Sequence, residues 1–207
     1  MQTGVLISLA AYFVLMLAIG LSLSGPMPCI TCGYDLQGLS VIGLCPECGS
    51  AVRATILAKI DPQAEEISAV NTVVIRERSP VGYNTDGAGF LLPLSQLQAH
   101  LEGAQVALLG SGGAAQAIAF ALEKQQVEKL TLWNRDRNLA RAQGLAQRLN
   151  ERRETEFAQA VCEWEKLPVE QSRLLVNATA LGMAGKGNLP ASVTDRLQPD
   201  QIVYDIV

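Results

Sequence analysis

Gln105-Val106-Ala107-Leu108-Leu109-Gly110-Ser111-Gly112-Gly113-Ala114-Ala115 is the stretch that decides the fold of this chain. An apolar run ends in closely spaced glycines and then turns into a helical pattern, which reads as a strand, a tight turn and a helix N-terminus. Gly110 permits backbone angles closed to other residues, Gly112 removes a Cβ where a phosphate would approach, and Gly113 with Ala114 lets the helix pack closely on the strand. The unpaired N–H groups and positive dipole end of that helix favour a pyrophosphate. The spacing is Gly-x-Gly-Gly-Ala-Ala, short of the full Gly-x-Gly-x-x-Gly, so a glycine turn in an ordinary α/β unit stays open at this point.

Toward the C-terminus, Lys129 to Trp133 reads as a second strand and ends in Asn134-Arg135-Asp136-Arg137. An acidic residue at such a strand end would hold the ribose hydroxyl of NAD, whereas arginine accommodates the 2′-phosphate of NADP. Arg135 favours NADP, by stacking on adenine or pairing with phosphate, while Asp136 opposes a phosphate. Arg137, Arg141 and Arg148 also fit a solvated helix face. Leu174 to Asn177 is a further buried strand leading into Asn177-Ala178-Thr179, and Gln201 to Val207 reads as a final strand.

Toward the N-terminus, Gly82-Tyr83-Asn84-Thr85-Asp86-Gly87-Ala88-Gly89-Phe90 contains a competent helix start at Asn84 to Gly87, with Asp86 favoured by the helix dipole. Ala69 to Ile75 is a β-branched strand. Residues from Ser50 to Glu66 place Ile56, Leu57, Ile60 and Ala64 at helical spacing, which predicts a helix.

These motifs, in this order, resemble shikimate dehydrogenase. The resemblance rests on Ala69-Val70-Asn71-Thr72, Gly82 to Phe90, the Gly110 turn, Asn134-Arg135, Asn177 to Met183 and Val203 to Val207, and it covers roughly Thr55 to Val207. It implies NADP-dependent exchange of hydride with C3 of shikimate, giving 3-dehydroshikimate. It assigns Asp86 to the catalytic pair and to substrate binding, and Asn71 to the substrate hydroxyls. Gly110, Ser111, Gly112, Gly113, Ala114, Asn134, Arg135, Arg141, Asn177 and Thr179 fall at cofactor-binding positions. The family pairs the aspartate with a lysine whose place falls close to Ser50, and the first lysine in this chain is Lys59. The family's early substrate-domain strands and its helices after the Tyr-Asp strand have no counterpart in the sequence. The expectation is therefore a family domain shortened at both ends, with cofactor binding and little turnover. Two alternatives stay open: a membrane-anchored ribbon protein whose nucleotide-binding domain is not catalytic, or a chimeric or truncated gene product.

Ahead of that region, Val5 to Leu23 is a nearly unbroken apolar run of 19 residues, with no charged side chain before Asp35. A membrane-spanning helix needs about 20. A signal peptide competes, since Ser22, Ser24 and Gly25 suit cleavage, but the run lacks a basic n-region and exceeds the usual h-region. Four of the five cysteines follow within 20 residues: Cys29-x-x-Cys32-Gly and Cys45-x-x-Cys48-Gly, separated by twelve residues. Two Cys-x-x-Cys knuckles suit a closed tetrahedral zinc site with a structural role, the other reading being a disulfide loop. The segment resembles a rubredoxin-like zinc ribbon.

Composition bounds the partners. Of 207 residues, 49% are apolar and 17% charged, and the net charge of -4 with 5% aromatics gives no reason to expect nucleic acid. The reading is α/β: a membrane segment over 1–25, a zinc ribbon over 26–50, a partial substrate domain over 51–90, and a Rossmann-type parallel sheet with helices on both faces over 91–207. Thiolates and a nucleotide site favour a cytoplasmic placement of the C-terminal part; oligomeric state has no signal.

Overall fold

Lys59 to Val207 forms one compact unit, and the computed structural model describes residues 59–76 and 79–206. Its first layer is a small sheet. β1 (Lys59–Ile60) leads into α1 (Pro62–Ile67), followed by β2 (Thr72–Arg76) and β3 (Ser79–Tyr83). The strand order is β1-β3-β2, with β3 parallel to β1 and antiparallel to β2.

The helix predicted over Ser50 to Glu66 is corrected within the described residues: Lys59 and Ile60 are strand, and helix begins only at Pro62. Proline lacks an N–H and disfavours α geometry in the residue before it, so it starts a helix well but cannot continue one. Asp61 completes the start, accepting the Gln63 N–H at 3.0 Å. Ile56 and Leu57 lie outside the described residues. So do the predicted membrane segment and the cysteines Cys29, Cys32, Cys45 and Cys48. Among the described residues no helix is long and apolar enough to cross a membrane, and no group of three His, Cys, Asp or Glu side chains could hold a metal ion.

α2 (Asp86–Gln96) carries the chain to the main sheet. That sheet comprises β4 (Gln105–Leu109), β5 (Lys129–Trp133), β6 (Ala158–Val161), β7 (Leu174–Asn177) and β8 (Ile202–Asp205). All pairs are parallel and the order is β6-β5-β4-β7-β8, the doubly wound arrangement in which the first strand sits at the switch point. Parallel strands covered on both faces read as continuous apolar runs, as Val106 to Leu109 and Leu174 to Val176 do.

One face of the sheet is covered by full helices. α3 (Gly113–Lys124) is buried from Ala115 to Leu122, because α1, α2 and the sheet enclose it. α4 (Leu139–Arg153) is amphipathic, burying Ala142, Leu145, Ala146 and Leu149 at helical spacing. The expectation of helices on both faces needs correction at the other side. There, Ala107, Leu109, Trp133 and Leu175 are covered by a 3₁₀ turn at Trp164–Lys166, the Leu167 to Val169 segment and the one-turn α5 (Ala191–Thr194). Trp133 and Trp164 stack at 3.5 Å, filling volume that a longer helix would otherwise supply.

Arg196 secures this thinner layer. Its guanidinium grips the Glu170 carboxylate at 2.6 Å through two nitrogens and donates to the carbonyls of Leu167 at 2.9 Å and Trp164 at 3.2 Å. The Arg196 hydrogen bonds, then a backbone amide, hold the Glu170 carboxyl down at about 2. A carboxyl lowered in the folded state stabilises above its ordinary value of 4.5 and loses that contribution as pH falls toward about 2. Arg196→Ala is therefore expected to melt below the wild type at pH 7, with a narrower gap at pH 2. Thermal denaturation at the two pH values checks this, and a gap independent of pH would refute it.

Candidate functional site

The part expected from sequence to meet a substrate is built by side-chain amide chemistry. Asn71, just ahead of β2, accepts at its Oδ1 from Thr72 Oγ1 at 2.8 Å, Thr85 N at 3.0 Å and Thr85 Oγ1 at 3.3 Å. A backbone N–H only donates, so Oδ1 must face it and Nδ2 must turn the other way. Nδ2 then donates to Asp86 Oδ1 at 2.5 Å, a charge-assisted contact. Asp86 is itself fixed by Asn84, whose Oδ1 accepts the Asp86 N–H at 3.0 Å while its Nδ2 donates to the Ala69 carbonyl at 3.1 Å. Asn71 and Asp86, fifteen residues apart in sequence, thus form one polar unit at the start of α2. Thr72, Asn84 and Thr85 complete it. The residues read from sequence did not include these three as site members; the signal was the Asn-x-Asp turn ahead of a helix.

The glycine turn has the predicted strand-turn-helix form. Gly110 lies at φ +108, and a Cβ there would sit 2.7 Å from the Ala178 carbonyl oxygen, so backbone and space both require glycine. Gly112 is the N-cap of α3 and offers no side chain to its first amides, and a Cβ at this position would meet nothing within 4 Å. The head of this twelve-residue helix thus has no capping side chain and has open space where a side chain of its N-cap would stand, which fits a phosphate group at its first-turn N–H groups. Gly113 has a different role from the one expected: its nearest neighbour is Ala69 Cβ, 3.6 Å from where a Cβ would be, at ordinary contact distance. The glycine that permits close helix packing is Gly87, whose Cβ would lie 3.1 Å from the Ala117 carbonyl and 3.3 Å from Ala121 Cβ.

Two loops carry the other residues expected from sequence to meet a cofactor. Asn134, at the end of β5, donates to Ser111 Oγ at 2.6 Å in a buried contact and accepts the Arg135 N–H at 2.9 Å. Arg135, Asp136 and Arg141 are exposed beside it, at the 3₁₀ turn Asp136–Asn138 and the start of α4. Asn177 ends β7, and its Oδ1 accepts Thr179 N at 3.1 Å and Thr179 Oγ1 at 2.7 Å. Ala114 lies in the first turn of α3.

Several contacts join these two parts. A Cβ on Gly113 would lie 3.6 Å from the Cβ of Ala69, two residues before Asn71. α2 packs along α3, and Phe90 meets Tyr204 of β8 at 5.0 Å. Arg148, read from sequence as a solvated residue, is half-buried: it donates to Gln116 Oε1 at 2.7 Å and Ser68 Oγ at 3.4 Å. Arg152 adds an ion pair to Glu66. Lys59, on β1, is exposed.

Comparison with known proteins agrees with this geometry. A family described as Shikimate / quinate 5-dehydrogenase matches residues 93–180. A shikimate dehydrogenase (NADP(+)) of Sphingopyxis alaskensis is 38% identical over 159 residues, 75% of this chain and 54% of the relative. A solved shikimate 5-dehydrogenase of Listeria monocytogenes, in complex with shikimate and NAD, is 31% identical, with a TM-score of 0.62 over 73% of this chain and 54% of its own. The Thermus thermophilus enzyme in complex with NADP(H) and shikimate is 36% identical, with a TM-score of 0.59 over 73% and 52%. The chain belongs to the shikimate dehydrogenase family, and the matched region carries that family's Rossmann-type fold. The chain spans about half the length of the curated relatives it matches.

The Asn71–Asp86 contact exists because one partner is neutral. Asn71→Asp keeps the acceptor for Thr85 but sets two carboxylates against each other, which costs about 1–2 kcal/mol while both are ionised. The variant is expected to melt below the wild type at pH 7 and to recover at pH 4. Equal melting at both pH values would contradict the assigned geometry.

Proposed function

We propose that the chain is an NADP-dependent oxidoreductase that interconverts shikimate and 3-dehydroshikimate. The observation that carries this reading is the 2.5 Å contact between Asn71 and Asp86, on elements that pack against the helix beginning at the glycine turn. Residues 51–90 supply the substrate side and 91–207 the cofactor side. NADP, when bound, supplies the hydride acceptor.

The chain's own residues have separable tasks. The amides at Gly112 to Ala114 hold the pyrophosphate. Arg135 and Arg141 meet the 2′-phosphate and adenine, with Asn134 setting the Arg135 backbone. Asn177 and Thr179 shape the nicotinamide side. Asn71 spends one amide hydrogen on Asp86 and turns the other toward a substrate hydroxyl. Asp86 would accept from that hydroxyl and take its proton, as general base for oxidation of the carbon that bears it, for which bound NADP would supply the hydride acceptor.

A second reading, nucleotide binding without turnover, is favoured by the lack of any lysine before Lys59, since the resemblance places the family's lysine close to Ser50. Loss of a general acid or base lowers rates by about 10²- to 10⁴-fold. The full chain, mixed with NADP and shikimate, is expected to show slow growth of reduced-cofactor absorbance, abolished by Asp86→Ala. Ser50→Lys is expected to raise the rate. NADP binding with no shikimate-dependent signal in any of the three chains leaves the second reading.

We further propose a structural zinc on Cys29, Cys32, Cys45 and Cys48, from the cysteine spacing, and a membrane anchor over 1–25, from the apolar run Val5 to Leu23. One zinc per chain is expected by elemental analysis, and none after serine replacement of Cys29 and Cys45; retention of zinc in that variant would exclude the site.

A further inference from the structure

We infer that Asp205 is a positioning residue for the 177–182 loop, acting through Asn177. Asn177 is 2% exposed, so both hydrogens of its amide need partners. The Thr179 N–H can only donate, and it is met by Asn177 Oδ1 at 3.1 Å, which fixes the amide's orientation. Nδ2 must then face acceptors, and it has two: the Leu181 carbonyl at 2.8 Å and Asp205 Oδ1 at 3.1 Å. Thr179 Oγ1 closes the ring, donating to Asn177 Oδ1 at 2.7 Å and accepting the Leu181 N–H at 3.0 Å.

Asp205 is well placed for this because the sheet fixes it. It stands opposite Asn177 in the parallel register of β7 and β8, and the Ile206 N–H donates to the Asn177 carbonyl at 3.2 Å. Its other oxygen lies 3.8 Å from where a Cβ on Gly182 would be, in a turn closed by the Gly182 N–H on the Gly187 carbonyl at 2.7 Å. The loop reaches the glycine turn: Ala178 N donates to the Leu109 carbonyl at 2.9 Å, and the Ala178 carbonyl occupies the place of a Gly110 side chain. A carboxylate on the last strand therefore sets how the loop lies against the phosphate turn. It is the one carboxylate in this ring, so its removal takes away one of the two protein acceptors that Asn177 Nδ2 has here.

The loop consequence stands alone; the ligand consequence rests on the NADP reading. The full chain is compared with Asp205→Ala and Asp205→Asn, the latter keeping an acceptor oxygen at the same reach. Hydrogen exchange at the Thr179 and Leu181 amides is expected to quicken by about tenfold in Asp205→Ala, with Val106 to Leu109 unchanged, and to stay within about twofold of wild type in Asp205→Asn. The NADP dissociation constant is expected to rise by about 3- to 20-fold in the alanine variant only. If the alanine chain does not fold, Asp205→Ser, whose hydroxyl falls one bond short, gives the same test. Unchanged exchange in Asp205→Ala overturns the inference. Faster exchange with an unaltered dissociation constant overturns its link to the ligand. Faster exchange in a protein whose wild type fails to bind NADP sustains the positioning role and defeats the proposed function instead.

Discussion

The structure turns on a contact that leaves no room for a side chain. The parallel register of β4 with β7 brings the carbonyl of Ala178 to within 2.7 Å of where a Cβ on Gly110 would be, and Gly110 answers with a φ of +108. That one approach ends the first strand, aims the chain into α3 and brings the Asn177 loop up to the turn. An alanine at this point would meet both a forbidden backbone angle and a backbone oxygen. The head of α3 carries no capping side chain, and uncapped first-turn amides are the physical basis of anion binding at a helix start.

The second half of the site depends on packing that a sequence pattern only hints at. α2 lies along α3 because Gly87 lets it come within reach of the Ala117 carbonyl, and α1 is held by Ile67 in the core and by the Glu66–Arg152 pair. Both contacts locate the Asn71–Asp86 unit, which arises where the end of one connection meets the start of a helix. The polar unit is internally consistent: the orientations of both its amides, Asn71 and Asn84, follow from groups that can only donate or only accept. A pair of exposed polar groups alone would contribute little to stability. Their value lies in presenting a carboxylate and an amide in fixed relation beside a phosphate turn.

Much of this was legible in the sequence. Lys129–Trp133 and Leu174–Asn177 are strands with the predicted bounds, because both are apolar runs closed by asparagine. The turn at Gly110 and the helix start at Asp86 followed from local backbone chemistry, which sequence encodes directly. What was hidden depends on neighbours distant along the chain. The apolar spacing of Ile60 and Ala64 suggested helix, but the Asp61-Pro62 step breaks it. Arg148 looked solvated because a charged side chain on an amphipathic helix usually is, and only the approach of Ser68 and Gln116 half-buries it. Asp205 falls in the closing motif of the resemblance, but its contact with Asn177 came into view only with β8 in register beside β7. The second face of the sheet, closed by a 3₁₀ turn and stacked tryptophans, has no periodicity to read.

The central claim is that the head of α3 receives the phosphates of NADP, and Gly112 allows it to be tested apart from folding. Its backbone is extended at φ -71, ψ -175, open to any residue, and a Cβ there meets nothing. Gly112→Asp would supply the missing N-cap, placing a carboxylate on the amides a phosphate would use. Calorimetric titration of NADP into the full chain, beside a melting curve, is the most direct measurement. The account predicts that wild type binds, and that the variant melts at the same temperature or higher while losing binding by about 100-fold or more. Binding of NADP by Gly112→Asp with undiminished affinity would contradict it.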